Sequence, residues 1–274
     1  MKKDKEVLKE ELKAFTLPQK KSEPKESIGD YTMLIFGEKK IGKTTLCSKF
    51  PDALFLMTEP GGEGLSIFQM KIDHWRKFVK AVDLLEKDKK YKTVIVDTVD
   101  NLYELCFDYM CKEKLLIEHP QDENDFGRSW KVIKKEFTDQ LSRLMFLNKG
   151  FIALSHAQER ETTTLSGDKF DRLIPTMGRA ANEYLTGVID IWAYYGYEDR
   201  KRFLVIEGDD YIGAGHRLEG RFLTPEKEKV VRIPMGKNSE ESYNNFIKAF
   251  NNKQTTTGGK DEVIVSEKRT FKRK

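Results

Sequence analysis

The sequence predicts an α/β fold, with a mainly parallel central sheet flanked by helices and an antiparallel C-terminal extension. Three observations carry this reading. Four short runs rich in apolar, β-branched and aromatic residues, "YTMLIFG", "DALFLMTE", "KTVIVDT" and "GFIALSHAQ", are each bounded by charged or turn residues, as buried strands are. The longer segments between them show a helical apolar period, which parallel crossovers require. Beyond the fourth run, "IDIWAYYGYE", "RFLVIEG" and "KVVRIPMG" follow one another with no room for long helices between them, so an antiparallel extension is expected there.

Taken in order, residues 1–28 form a charged extension, in which "MKKDKEVLKEELK" suits a short polar helix and "LPQKKSEPKES" a linker. Residues 29–250 form the core. "WRKFVKAVDLLEK" and "NLYELCFDYMCKEKLL" are expected helices, and from Trp130 the positions Ile133, Phe137, Leu141 and Leu144 recur at steps of three and four, putting one stripe on the sheet. "SEESYNNFIKAF" ends the core as a helix. Residues 251–274 are polar, then basic, and are expected to be a disordered tail. No internal repeat is visible.

Composition narrows the function classes. At 274 residues and 38% hydrophobic, the chain can bury one large core. Its net charge of +4 permits a nucleic-acid partner without requiring one. Cys47, Cys106 and Cys111 make no Cys-x-x-Cys pair and leave an odd count, which suits a reducing compartment. No apolar run approaches the roughly 20 residues that span a bilayer, and the charged start does not read as a signal peptide, so a cytoplasmic protein without a membrane partner is expected. His74, His119 and His216 are scattered without metal-ligand spacing.

The first apolar run leads into "GEKKIGKTT". Gly37, Glu38, Lys39, Lys40, Ile41, Gly42, Lys43 and Thr44 fit G-x-x-x-x-G-K-[ST] between a strand and a helix, and Thr45 follows. In such a turn backbone amides form an anion nest and the helix start adds a positive dipole. Lys43 neutralises the β and γ phosphates and the Thr44 hydroxyl ligates Mg²⁺. The expected ligands are ATP and Mg²⁺.

Hydrolysis needs carboxylates at neighbouring strand ends. Asp97 closes "TVIVD", where it can reach the Mg²⁺ shell through water, with a solvated helix cap as the alternative. Asp100 competes for the cap. Glu59, after "LFLMT", can orient the attacking water, with Glu63 in "PGGEG" as its rival. The fourth run ends in Ser155, His156 and Gln158, polar groups placed where α/β ligand sites collect and where one can sense the γ phosphate.

In this order the motifs resemble those of the RecA-like core ATPases. "TEPGGEG" and "SHAQER" look most like short phage-encoded members that bind and anneal single-stranded DNA during recombination, and the likeness runs from Tyr31 to Phe250. The resemblance implies Lys43 and Thr44 at phosphate and Mg²⁺, Asp97 as the Walker B acid, Glu59 as the base and His156 as the γ-phosphate sensor. Ser155 and His156 stand where the recombinases carry Asn and Gln. It also implies ATP between adjacent protomers of a ring or filament, single-stranded DNA along its axis, a single-strand-binding protein as a further partner, and a bacterial host cytoplasm. Recombinases carry extra domains that this length cannot hold, so annealing is favoured over full strand exchange.

Within the core, "ERETTTLSGDKFDRLIPTMGRAA" reads as a loop offering Arg160, Lys169, Arg172 and Arg179 for phosphates and Phe170 for base stacking. Glu159, Glu161, Asp168 and Asp171 nearly cancel those charges, so a solvated loop is the alternative. "KRTFKRK", around Phe271, is a second basic patch. Arg217, Arg221, Arg232 and Lys237 are candidates for a cation supplied in trans. Two rival readings are an AAA+ loader or remodeller, which would add a helical lid after the core, and a nucleotide-gated scaffold with little hydrolysis.

Overall fold

The computed structural model describes residues 16–163, 167–253 and 264–265. The elements run β1 (Thr32–Gly37), α1 (Lys43–Cys47), β2 (Ala53–Met57), β3 (Phe68–Lys71), α2 (Trp75–Leu85), β4 (Thr93–Asp97), α3 (Val99–Tyr109) and α4 (Arg128–Met145). Then follow β5 (Gly150–Thr163), β6 (Lys169–Pro175), α5 (Arg179–Val188), β7 (Ile191–Glu198), β8 (Lys201–Val205), β9 (Gly215–His216), β10 (Val230–Pro234), α6 (Ser239–Phe250) and β11 (Ile264–Val265). The expected N-terminal helix and the "KRTFKRK" patch lie outside the described residues.

The sheet order is β11-β10-β8-β7-β1-β5-β4-β2-β3, with β6 attached to β5 and β9 to β7. From β3 to β7 all pairings along this path are parallel. Burial on both faces explains the unbroken apolar runs of β2 and β4, since each strand sends alternate side chains to opposite helical layers. In β1, Met33 and Ile35 pack on one face with Leu46, Phe246 and Phe250 from α1 and α6. Leu34 points the other way, into a cluster built with Trp75, Phe78, Leu102, Phe137 and Leu185 from α2 to α5. The α4 stripe is buried from Ile133 through Phe137 and Leu141 to Leu144, whereas Trp130 packs tilted against Phe107 and edge-on to His119 outside it.

The four apolar runs form parallel strands as expected, and three features differ from the sequence reading. "IDIWAYYGYE" does not begin the antiparallel part: β7 pairs parallel with β1, because the ten-residue helix α5 supplies the crossover. The antiparallel extension starts one strand later, at β8, and continues through β10 to Ile264–Val265 within the expected tail. Residues 159–163 and 169–175 are strands and not a loop. β5 outruns the core sheet and pairs antiparallel with β6 from Ala157 to Thr163, forming a projecting hairpin arm. Its outer residues in β5, "QERETT", are charged or polar and almost all exposed, so the two-residue strand period leaves no apolar alternation in the sequence there. The edge strand β3 also escaped notice, because its residues are mostly exposed and carry no buried apolar run.

The arm is tied to the core at its root. Phe36, Tyr194 and Val205 form a third cluster against which Ala157, Leu173, Trp192 and Ile212 pack. Leu173 exchanges backbone hydrogen bonds with the segment that carries Tyr211 and Gly213.

At the start of β5, a Cβ built on Gly150 would overlap the Gly29 carbonyl oxygen. The backbones meet there at a distance only glycine permits. Gly150→Ala should therefore cost about 1–3 kcal/mol of unfolding free energy by urea titration. An unchanged midpoint would show that the close approach is not maintained.

Candidate functional site

Parallel pairing places the C-terminal ends of β1, β2, β4 and β5 along one edge of the sheet, with Gly37 level with His156 and Met57 with Asp97. Ligand sites of open α/β sheets collect at such an edge. The turn from Gly37 to Thr45 emerges there. Its two glycines have different reasons to exist. A Cβ on Gly37 would collide with the Tyr195 carbonyl, so this residue lets β1 pack against β7. Gly42 has φ 107°, a left-handed conformation, and no neighbour within 4 Å of a built Cβ, so it shapes an open concavity. Lys40 also adopts positive φ, while Glu38, Lys39, Lys40 and Thr45 are exposed on the rim and Ile41 is buried beneath it.

Lys43 is buried, and its ammonium donates to the carbonyls of Gly37 and Glu38, both at 2.9 Å. Burial holds it below the usual lysine range, against the opposing pull of Asp97, Asp100 and Glu59. The Thr44 hydroxyl donates to Asp97 Oδ2 at 2.7 Å across a separation of 53 residues. Asp97 is buried, and that burial raises its carboxyl above the ordinary value of 3.8 despite the Thr44 hydrogen bond. Asp97 is thus the last residue of β4 and no helix cap; Thr98 occupies the N-cap position of α3.

Glu59 lies just past β2 and is half-buried. Its Oε2 accepts from Asn101 Nδ2 at 3.1 Å, and its Oε1 lies 3.6 Å from His156 Nε2. Glu63 is exposed, and lines with Glu59 and Asp73 a cavity of about 500 Å³ beside β3. Asp100, expected as a cap, has another role in the structure. Its Oδ1 accepts from the Ser155 hydroxyl at 2.6 Å and its Oδ2 from the His156 N–H at 2.9 Å. Burial raises the Asp100 carboxyl, while the hydrogen bonds from Ser155, His156 and Thr176 oppose that rise. Gln158 donates to the Pro175 carbonyl at the root of the arm.

The geometry fits a magnesium nucleotide. A divalent ion that keeps several waters needs one or two protein oxygens beside the phosphates, and Thr44 with Asp97 supplies such a pair. The Thr98 hydroxyl is buried without a partner nearby, a further oxygen next to Asp97. No cluster of three or more His, Cys, Asp or Glu with metal-holding geometry occurs among the described residues, so the protein atoms there form no self-sufficient metal centre. On the other side of the turn a cavity of about 770 Å³ is lined by Tyr197, Arg200, Arg202, Gly236, Lys237 and Glu241. Arg202 ties it to the turn by donating to the Ile41 carbonyl at 3.1 Å.

The expected DNA-contacting residues separate. Arg160, Lys169, Phe170 and Arg172 share the arm, with Arg160 directly opposite Arg172. Lys169 pairs with Glu161, and Arg172 donates to the Asp209 carbonyl. Arg179 stands on α5 instead, paired with Glu183 at 2.7 Å. Phe170 is half-buried against Tyr211, and Tyr211, 62% exposed, is the more accessible ring. Nothing local in "GDDYIGAG" marks Tyr211, because its neighbour is 41 positions away. Of the trans candidates, Arg217 and Arg221 lie at the opposite end of the sheet, bonded to the Gly187 and Lys25 carbonyls. Arg232 pairs with Glu198, and Lys237 stands on the rim of the cavity beside the turn.

A protein family described as an AAA domain matches residues 30–218, more than half of the chain. A prophage protein of Bacillus subtilis strain 168, described as SPbeta prophage-derived uncharacterized protein YorG, is 30% identical over 131 residues. That stretch is 46% of this chain and 40% of the relative's length.

Asp97 carries a signed pH dependence. Below 3.8 the carboxyl is protonated in folded and unfolded chains alike; above it the unfolded chain loses the proton first, and stability falls as pH rises through the higher folded value. Asp97→Asn keeps the shape without the charge. Its urea midpoint relative to wild type should be unchanged in acid and increasingly favourable toward neutral pH; a variant less stable at neutral pH would reverse the assigned sign.

Proposed function

This chain belongs to the AAA domain family, with the nucleotide-binding P-loop that membership implies, and on that premise we propose that it is an Mg²⁺-dependent ATPase coupled to single-stranded DNA. Its role is annealing or recombination in a phage or prophage, a setting supported by the prophage relative. The observation that carries the coupling is β5. One continuous strand runs from Ser155 and His156, beside Glu59, directly into the arm that bears Arg160, Lys169, Phe170 and Arg172.

The residues divide the work as follows. Backbone amides of the Gly37–Thr45 turn and the Lys43 ammonium hold the phosphates, and the 770 Å³ cavity around Tyr197 and Arg202 takes the base and ribose. Thr44 would ligate Mg²⁺ and Asp97 would hold it through water; when bound, the ion would supply positive charge against the phosphates. Glu59 orients the attacking water and His156 reports the γ phosphate. On the arm, the basic side chains meet the DNA backbone while Tyr211 and Phe170 offer stacking faces. Assembly into a ring or filament would bring a cation of a neighbouring protomer to the nucleotide, since Lys237 lines the cavity of its own protomer, and a single-strand-binding protein would deliver the DNA.

A loader or remodeller is the rival reading. Against that reading, β7 continues into β8 and β10 and then the single helix α6, without a helical lid in the described core.

Steady-state ATP hydrolysis should rise selectively with single-stranded over double-stranded DNA. Glu59→Gln should lower kcat about 100-fold or more while leaving nucleotide affinity intact. A rate indifferent to every nucleic acid would remove DNA from the function, and full activity in Glu59→Gln would remove Glu59 from the chemistry.

A further inference from the structure

Asp100 and Asn101 sit side by side in the first turn of α3 yet hold different strands. Asp100 accepts from the Ser155 hydroxyl and the His156 N–H at the end of β5, and Asn101 donates to Glu59 beyond β2. The sheet order explains how. β4 lies between β2 and β5, and α3 leaves from β4, so its first turn rises between the two neighbouring strand ends. Successive helical residues point about 100° apart, which aims one side chain at each neighbour.

The two contacts close on each other. Glu59 lies 3.6 Å from the His156 ring, whose Nδ1 is buried without a hydrogen-bond partner among the described residues. The ring is therefore placed by Glu59 on one side and by its own backbone, fixed by Asp100, on the other. His156 is also the last residue of β5 in register with β1; from Ala157 the strand pairs with β6 and becomes the arm. Thr176, at the returning end of the arm, donates its N–H to the His156 carbonyl at 3.0 Å.

We propose that Asp100 and Asn101 are paired positioning residues, a two-pronged clamp that sets Glu59 against the root of the hairpin arm. The proposal rests on the ATPase reading above. Asn101 acts through Glu59: it restricts the carboxylate to orientations that can accept a proton from water. Asp100 acts through β5: it fixes the backbone hinge at which the core sheet gives way to the arm. Displacement of the arm is thereby transmitted to the carboxylate through His156, and displacement of Glu59 is transmitted back.

A double-mutant cycle tests this. In the full-length protein, Asn101→Ala should lower kcat about 10-fold, with KM for ATP and the dissociation constant of a fluorescent ATP analogue within about twofold of wild type. In the Glu59→Gln background, where residual turnover is followed with radiolabelled ATP, the same substitution should change the rate less than about twofold, because the group it positions is gone. Asp100→Asn should behave alike. Should that variant fail to fold, the Asn101 cycle still decides, since Asn101 is only partly buried on α3. Equal losses in both backgrounds, or a loss of nucleotide affinity matching the loss of kcat, would overturn the clamp alone. Absence of turnover in the wild-type protein, with the analogue still bound, would overturn the hydrolytic reading and the clamp with it.

Discussion

Strand β1 has no free edge. It is paired in parallel with β5 on one side and β7 on the other, and five of its six residues are buried. With both edges occupied, the chain leaving Gly37 can only rise out of the sheet, and it does so between the ends of its two neighbours. Every functional feature follows from that exit. The turn lands beside Asp97 and His156 because Gly37 is level with His156 of β5 and β4 ends at Asp97, level with Leu154 two residues before it, and Gly37 is required because β7 leaves no space for a Cβ there. Replacing either neighbour's register by one residue would reverse the faces of its side chains and empty the site.

The same exit concentrates charge where water is scarce. Lys43 and Asp97 are buried and Asp100 is half-buried, and the burial moves each toward its neutral form. Their mutual attraction and their hydrogen bonds only partly offset this. The site therefore stores destabilisation in the protein alone, which a bound nucleotide would relieve. By contrast Cys47, one turn along α1, is a buried thiol whose ionisation is suppressed, and it takes part as packing.

What was legible in the sequence was local. The turn from Gly37 to Thr45, Asp97 at a strand end and the apolar runs all declare themselves within about ten residues, because phosphate cradles and buried strands are built from consecutive positions. Where partners are distant, the sequence was silent. Asp100 looked like a cap because its true partners, Ser155 and His156, are 55 and 56 positions away. Asn101 was passed over for the same reason. The arm reads as a loop because a solvent-exposed hairpin has no buried face to impose an apolar alternation, and the crossover helix α5, ten residues long with only Ala181 and Leu185 buried, is too short to declare an apolar period. Tyr211 meets Phe170 only through the folded arm, 41 positions away in the chain.

The most direct test is calorimetric titration of a slowly hydrolysed ATP analogue into the wild-type protein and Lys43→Ala, each with and without Mg²⁺. A P-loop site closed by Thr44 and Asp97 predicts saturable one-site binding that strengthens with Mg²⁺, and at least about tenfold weaker binding in Lys43→Ala, a loss near 1.4 kcal/mol or more. Equal affinity in the two proteins, or no binding to either, would contradict the assignment of this edge of the sheet as a nucleotide site.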